Sequence, residues 1–480
     1  MTTWRWLVLG SAIFLTACAG SPGRIKTPAV DATSTAWLSQ GKGDWPSAHW
    51  WAALHDARLQ AWIVRAQKHA PAMLVAAARL DEASAGSQLA KANRGASVAL
   101  DSSVTRERFS ANSYIPPPFG GQFYDDGELA ANFHYDFDFW GQQRHALNAA
   151  LGEVRARTYE LQGQADWIAA RVVSTYLSLQ VLQQRIDLLQ KRQKLQLALR
   201  DLQEQRVAAG LRAADTLSPV RQDLLHLTQD LQDAQAQRDQ LTIDLQQWVD
   251  LPLTQLQVSP RPLPTLLQTV PSHLGLDLLA RRSDLAAARA RVEAAAERAK
   301  VARAAFYPDV NLTAFAGWSS LLLSRWIDQS SMTMGVAPAI HLPIFDAGRL
   351  RAHLDQAKAA LVSADASYRE VLLRAIREVE TAQVQAAAAA QQRAQLALRL
   401  AQAQRHGERL RQRQAAGLSD ARAVLINQLE QSDLIESDEH WLQEQLLAQV
   451  AMVEALGGGF AVTESPCCAG KATQRKSHDR

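Results

Sequence analysis

The chain repeats itself at a fixed spacing. Gly141-Gln142-Gln143-Arg144 recurs as Gly348-Arg349-Leu350-Arg351, and Arg206-Val207-Ala208-Ala209-Gly210-Leu211 recurs as Arg413-Gln414-Ala415-Ala416-Gly417-Leu418, both at an offset of 207 residues. One offset shared by two widely separated places marks a duplication. Whatever unit the first half folds into, the second half folds into it again. Upstream, Arg79-Leu80-Asp81-Glu82-Ala83 resembles Arg291-Val292-Glu293-Ala294-Ala295 at an offset of 212. The five extra residues of the first half fall where Ile115-Pro116-Pro117-Pro118-Phe119-Gly120-Gly121 reads as an extended loop.

Proline then separates the elements inside each repeat. None occurs between Pro118 and Pro219, nor between Pro343 and Pro466. Both windows are rich in Ala, Leu, Gln, Arg and Glu, which favour helix. Residues 141–207 and 348–415 read as nearly continuous helices of roughly 100 Å at 1.5 Å per residue. Val172, Tyr176, Leu179 and Leu182 mark one apolar face, and helices this long need a partner along their length. Ala-rich 385–392 permits close helix approach. The repeated Gly210 and Gly417 suit helix C-termini. Helices resume at Ser218-Pro219 and at Asp420, with Ser218 and Asp420 as N-caps, so each window is a helical hairpin. Shorter helices are expected at 73–91 and 276–303, and the prolines at 252, 260, 262, 264 and 271 mark an irregular connector.

Four segments alternate like strands: 97–105, 129–139, 309–318 and 332–344. Leu129, Ala131, Phe133, Tyr135, Phe137 and Phe139 share one face, opposite Asn132, His134, Asp136 and Asp138. Val310, Leu312, Ala314, Ala316 and Trp318 form a second such set, and Met332, Met334, Val336, Ile340, Leu342 and Ile344 a third. Alternation over about ten residues fits a half-buried soluble sheet or a transmembrane β-barrel. Past the N-terminus no apolar run of about 18 residues occurs, which excludes an ordinary helical membrane transporter.

The N-terminus decides between the two sheets. Arg5, the apolar stretch Trp6 to Leu15, and Leu15-Thr16-Ala17-Cys18 read as a lipoprotein signal of residues 1–17, after which Cys18 carries covalent lipid. Ala19 rather than aspartate after Cys18 favours the outer membrane, and with that address the alternating strands read as a transmembrane barrel. A plain secretory signal with a chance cysteine is the other reading. Four strands cannot close a transmembrane barrel, which needs at least eight, and unpaired strand edges are not tolerated in lipid. Several chains must share one barrel. Three give twelve strands, and a cyclic homotrimer is the smallest comfortable closure.

The sequence resembles the TolC-type outer-membrane efflux factors, in their lipoprotein, NodT-like branch. The resemblance rests on the duplicated Gly-Leu turns, on Leu278-Leu279-Ala280-Arg281-Arg282-Ser283-Asp284-Leu285 (Ser283 where the family has proline), on Phe137-Asp138-Phe139-Trp140-Gly141, and on Ala455-Leu456-Gly457-Gly458-Gly459-Phe460. It implies an α+β membrane protein: a homotrimeric 12-stranded transmembrane β-barrel continued by a long periplasmic α-helical barrel, with two internal repeats per chain. It also implies a passive exit duct in the bacterial outer membrane, fed by an inner-membrane efflux transporter through a periplasmic adaptor. The expected layout is a signal peptide (1–17), an N-terminal periplasmic segment (18–72), repeat 1 (73–249), a connector (250–275), repeat 2 (276–456) and a C-terminal tail (457–480).

The resemblance places adaptor docking at Gly210, Leu211, Gly417 and Leu418, and a closing aperture near Arg206, Asp215, Arg413 and Asp420. Phe133, Tyr135, Phe137, Val310, Leu312 and Trp318 are expected to face lipid. The family's acidic residue after the second tip is missing, since Ala423 and Ile426 occupy that stretch. A net charge of +3, from 51 Lys+Arg against 48 Asp+Glu, demands no nucleic acid. Three cysteines support neither a disulfide framework nor a four-cysteine zinc site, and the Cys467-Cys468 pair is assigned to a flexible end. No catalytic motif, cofactor site or metal site is legible. Two other readings cover part of the sequence. A trimeric coiled-coil structural or adhesion lipoprotein explains the long helices without needing paired strands. A periplasmic envelope enzyme explains secretion without supplying convergent titratable groups.

Overall fold

The computed structural model describes residues 45–112, 118–258, 261 and 281–460. Their elements are α1 (Ala57–His69), α2 (Pro71–Ala92), β1 (Ser97–Arg108), β2 (Phe123–Phe137), α3 (Gln142–Ala208), α4 (Leu217–Val249), α5 (Ser283–Ala304), β3 (Asp309–Ser320), β4 (Met332–His341), α6 (Arg349–Ala415) and α7 (Ala421–Ala455). The duplication is carried into these bounds. α3 and α6 are both 67 residues long and start 207 residues apart; α2 and α5 are both 22 residues and start 212 apart.

Two compact units divide the chain. One gathers Glu82–Arg155 and Arg289–Ser367. It holds an antiparallel sheet in the order β1-β2-β3-β4, in which every neighbouring pair is also consecutive in the chain. α5 packs on the first turns of α3, where a Cβ on Gly152 would come within 2.9 Å of the Ala294 methyl. Glu297 accepts hydrogen bonds there from His145, Asn148 and Lys300.

The other unit comprises Asp31–Asp81, Ala156–Ala288 and Tyr368–Arg480. Its largest core packs Leu59, Trp62 and Ile63 of α1 against Ile168, Val172 and Tyr176 of α3, Leu245 and Val249 of α4, and Leu446, Val450 and Val453 of α7. Asp56 caps α1 through the amides of Arg58 and Leu59 and accepts the Tyr176 hydroxyl at 2.6 Å. Arg185 and Arg192 of α3 reach Glu436 of α7, while Arg393 of α6 forks onto Asp438 of the same helix. α7 is thus tied on both sides by guanidinium–carboxylate pairs, whose two-point geometry fixes the orientation of the helices.

Several expected boundaries move. β2 starts six residues earlier than expected, at Phe123, and ends at Phe137, leaving Phe139 outside the strand. The Phe139 amide turns back there to the Phe137 carbonyl, and the Asp138 carboxylate accepts the amides of Gln143 and Arg144 and caps the coming helix. β4 likewise stops at His341, before Leu342 and Ile344, and Asp346 accepts the amides of Gly348 and Leu350 to start α6. β1 and β3 run on to Arg108 and Ser320. α4 begins at Leu217, so Ser218 lies inside its first turn; Thr216 precedes the helix and bonds back to the Ala213 carbonyl instead. The expected helix from Leu276 is described from Ser283, with Arg282 non-helical and buried against Asp284 and Glu378. Residues 276–280, Cys18 and its signal segment, most of the connector, and Cys467-Cys468 lie outside the described residues.

Candidate functional site

The sheet sorts its side chains by face. Residues directly opposite one another on neighbouring strands point to the same side. Phe133 stands opposite Ala314, Tyr135 opposite Leu312, Phe137 opposite Val310 and Leu129 opposite Trp318. β1 adds Val98 and Leu100 to that face, and β4 adds Met332, Met334, Val336 and Ile340. All six residues expected to meet lipid therefore share one apolar surface. Phe139, although past the strand, stacks on Phe137 at 5.6 Å and prolongs it.

The other face is polar. Asp101 accepts from Asn132 at 2.8 Å, His134 meets Asp136 at 3.0 Å, and the Thr313 hydroxyl donates to the Ala337 carbonyl. Gly317, opposite Ala130, and Gly335, opposite Phe315, belong to this face; a Cβ on Gly317 would strike the Leu129 carbonyl, and one on Gly335 the Phe315 ring. The outer edges of β1 and β4 are unpaired among the described residues.

The two repeated turns are the same motif. Leu211 N–H donates to the Arg206 carbonyl and Gly210 N–H to that of Val207; Leu418 and Gly417 repeat both bonds onto Arg413 and Gln414. This six-to-one and five-to-two pair is the Schellman closure, which requires left-handed backbone at the glycine. Both glycines have φ of +71°, and a Cβ on either would meet nothing within 4 Å. The leucine that follows each is 71% exposed, where packing inside its own hairpin would have buried it.

The aperture residues are only partly brought together. Arg206 pairs with Asp420 at 2.9 Å, and Asp420 also caps α7 through the Ala423 amide. The amide bond, followed by Arg206, holds the Asp420 carboxyl below its usual range. Asp215 and Arg413 are exposed and make no ion pair among the described residues. The asymmetry follows from the repeat: Ala213 stands where the second tip has Asp420.

The unit that holds α1, α4 and α7 has three further features. Gly457, Gly458 and Gly459 all have positive φ; a Cβ on Gly457 would strike the Arg281 carbonyl and one on Gly459 the Ser47 carbonyl, while one on Gly458 would press against Asp166 at 3.2 Å. Beside them a cavity of about 420 Å³ is lined by Trp50, Arg79, Asp166, Trp167 and Glu454, and burial pushes the Asp166 carboxyl up to about 7. Glu439 on α7 is also pushed up to about 7, by burial and then by Glu436, and one of its oxygens is buried without a hydrogen bond. The run of glycines was visible in the sequence; the raised carboxyls were not, since their surroundings come from segments far apart in the chain. Among the described residues no group of three or more His, Cys, Asp or Glu could hold a metal, and no helix is long and apolar enough to cross a membrane.

An amphipathic four-stranded sheet joined to duplicated helical hairpins defines a class, and comparison with known proteins names it. Residues 62–249 and 274–458 match the model of the outer membrane efflux protein family, and the chain belongs to that family. It is 31% identical over 459 residues to the multidrug resistance outer membrane protein MdtQ of Escherichia coli O157:H7, covering 91% of this chain and 92% of that one. The crystal structure of the outer membrane protein VceC of Vibrio cholerae is 29% identical and superimposes with a TM-score of 0.78 over 87% of this chain and 100% of that one. The outer membrane channel CmeC of Campylobacter jejuni, 19% identical, shares the fold with a TM-score of 0.80 over 93% and 96%.

The protein is an outer-membrane efflux duct of the β-barrel and α-helical-barrel class, with a periplasmic extension. Channels of this family are trimers that work with adaptors and inner-membrane transporters. The family is one of ducts rather than of enzymes, and membership in it replaces the coiled-coil adhesion reading.

Proposed function

We propose that three copies of this chain form the passive exit duct of a tripartite efflux pump, expelling the kinds of compound implied by the multidrug-resistance names of its relatives. An inner-membrane transporter supplies the energy, and a periplasmic adaptor joins it to the tips at Gly210, Leu211, Gly417 and Leu418. Lipid on Cys18 adds an anchor separate from the strands. Phe133, Tyr135, Phe137, Val310, Leu312 and Trp318 face the hydrocarbon, and the Asp101, Asn132, His134 and Asp136 face lines the water-filled lumen. Arg206, Asp215, Arg413 and Asp420 ring the periplasmic aperture.

The observation that carries this reading is the sheet: apolar on one face across all four strands, polar on the other, with unpaired outer edges. A soluble sheet would bury its apolar face under other elements, whereas Val98, Leu100, Val336 and Ile340 stay exposed. Purified protein in planar bilayers should show discrete single-channel currents, and expression in a strain lacking its own duct should restore drug tolerance when the matching adaptor and transporter are present. A protein that assembles as trimers yet conducts no ions under any applied potential would contradict it.

A further inference from the structure

The connection from β3 to β4 folds back onto the sheet. After Ser320 the chain makes a 3-10 turn, Leu323–Arg325, in which the Arg325 and Trp326 amides donate to the Leu322 and Leu323 carbonyls. The Ser331 hydroxyl closes the loop onto the Arg325 carbonyl at 2.7 Å. The Trp326 ring comes to rest on β2, where a Cβ on Gly127 would meet it at 3.0 Å. Side chains along a strand alternate between faces, so Gly127 shares the side of Leu129, Phe133 and Phe137, together with its partners Val104 and Ser320. The loop therefore lies on the apolar face of the sheet, away from Asp101, Asn132 and His134.

Its level along the strands follows from the ladder. Gly127 lies ten residues from Phe137 on β2. At about 3.3 Å per residue and a tilt of about 40°, the rise between them is about 25 Å, the height of the apolar band of a transmembrane barrel. Phe137, Phe139 and the stacked pair Trp140 and Tyr307 mark the periplasmic rim of that band. One step beyond Gly127 on the same face, Arg106 meets Asp125 at 3.7 Å, and charge replaces apolar side chains. Trp326 thus sits at the opposite rim, the depth at which aromatic girdles lie. Around it Leu322, Leu323 and Ile327 are 56%, 44% and 67% exposed, with Arg325 and Asp328 between and beside them.

We propose that this loop is a lateral membrane anchor, whose Leu322, Leu323 and Ile327 enter the boundary between headgroups and acyl chains in the outer leaflet beside the duct. The inference rests on the reading that the apolar face of the sheet meets lipid, and adds a lipid contact made by no strand. The occupant is lipid because the patch continues that face at its outer rim. It is not another copy, because Trp326 rests on β2, within the four-stranded sheet, whereas a further copy joins in the plane of the sheet at the outer edges of β1 and β4. The Trp326 Nε1 is buried without an acceptor, so the ring seats the loop and the aliphatic side chains make the contact. Arg325 and Asp328 hold the loop at the boundary, since charge in the hydrocarbon is costly.

Single added cysteines test the contact in a chain carrying Cys467→Ser and Cys468→Ser. Ile327→Cys and Leu323→Cys are each labelled with a nitrobenzoxadiazole fluorophore in conducting trimers, reconstituted into phosphatidylcholine vesicles. The same chain without an added cysteine gives the background; Phe133→Cys reports the apolar face of the strands and Asn132→Cys the polar face. Aqueous iodide is compared with phosphatidylcholine carrying a nitroxide, either near the headgroup or midway down the acyl chain. At 327 and 323 the nitroxide near the headgroup should quench about threefold more than iodide does. At 133 the deeper nitroxide should quench, and at 132 iodide alone. Quenching by iodide alone at both loop positions, with lipid quenching intact at 133, would overturn the anchor and leave the duct standing. Shielding from both quenchers would overturn it too, because protein would then cover the loop. Loss of lipid quenching at 133 as well would overturn the lipid-facing sheet together with the anchor.

Discussion

Gly210 and Gly417 show what a single residue decides. Neither packs against anything a Cβ would touch, so their replacement acts through the backbone alone. Gly417→Ala should cost about 1 kcal/mol through the left-handed φ, read as faster amide hydrogen exchange at position 417 and at Leu418 with α7 unaffected. Phe133→Arg, four residues inside the end of β2, should destabilise the inserted barrel by about 2–4 kcal/mol, whereas Phe137→Arg at the strand end should cost only about 0–1 kcal/mol, measured by urea titration in lipid vesicles. Asp166 and Glu439 should make stability fall as pH rises. Each binds its proton more tightly folded than unfolded, so their contribution is complete below about pH 4, is lost on approaching about 7, and is flat beyond. Asp166→Asn with Glu439→Gln should flatten the fall in melting temperature between about pH 4 and pH 7; an unchanged slope would place the titration elsewhere.

At the scale of elements, the sequence carried most of the fold because its signals were local and said twice. Proline-free windows and the Gly210 and Gly417 stops delimit α3 and α6 to within a residue or two. Alternation located all four strands because one face is apolar throughout. It failed at their ends for a definite reason: Phe139 continues the alternation but its amide turns back to the Phe137 carbonyl, and Leu342 and Ile344 flank Pro343, which has no amide to give a ladder. Alternation sees side chains, and a strand ends where its backbone finds another partner or has no amide to offer. The early start of β2 was hidden likewise, because Tyr124, Asp125 and Asp126 alternate poorly and pair only with β1. The tips were legible as a repeated string. The Arg206–Asp420 pair was not, since it joins residues 214 apart and depends on how two hairpins lie together.

At the scale of the whole molecule, a duct works only when sealed to the machine that fills it, and the proposed docking gives that task to the tips. In a trimer the Gly210-Leu211 and Gly417-Leu418 turns present six apolar knobs, each a leucine held out by a closure bonded to its own helix. In the proposed docking, the periplasmic adaptor is the partner that covers these leucines. Replacing Leu211 and Leu418 together by Glu would put charge into an apolar contact, where desolvation opposes docking. The tips should fold as before, because their hydrogen bonds are made by backbone and neither leucine is buried in its own hairpin. The double variant should therefore reach the outer membrane as trimers in normal amount and conduct in planar bilayers, while adaptor cross-linking and drug efflux fall together. Normal cross-linking and efflux would reject docking at the leucines. Disappearance of the trimer would show instead that they hold the helical barrel together, covered by a neighbouring copy.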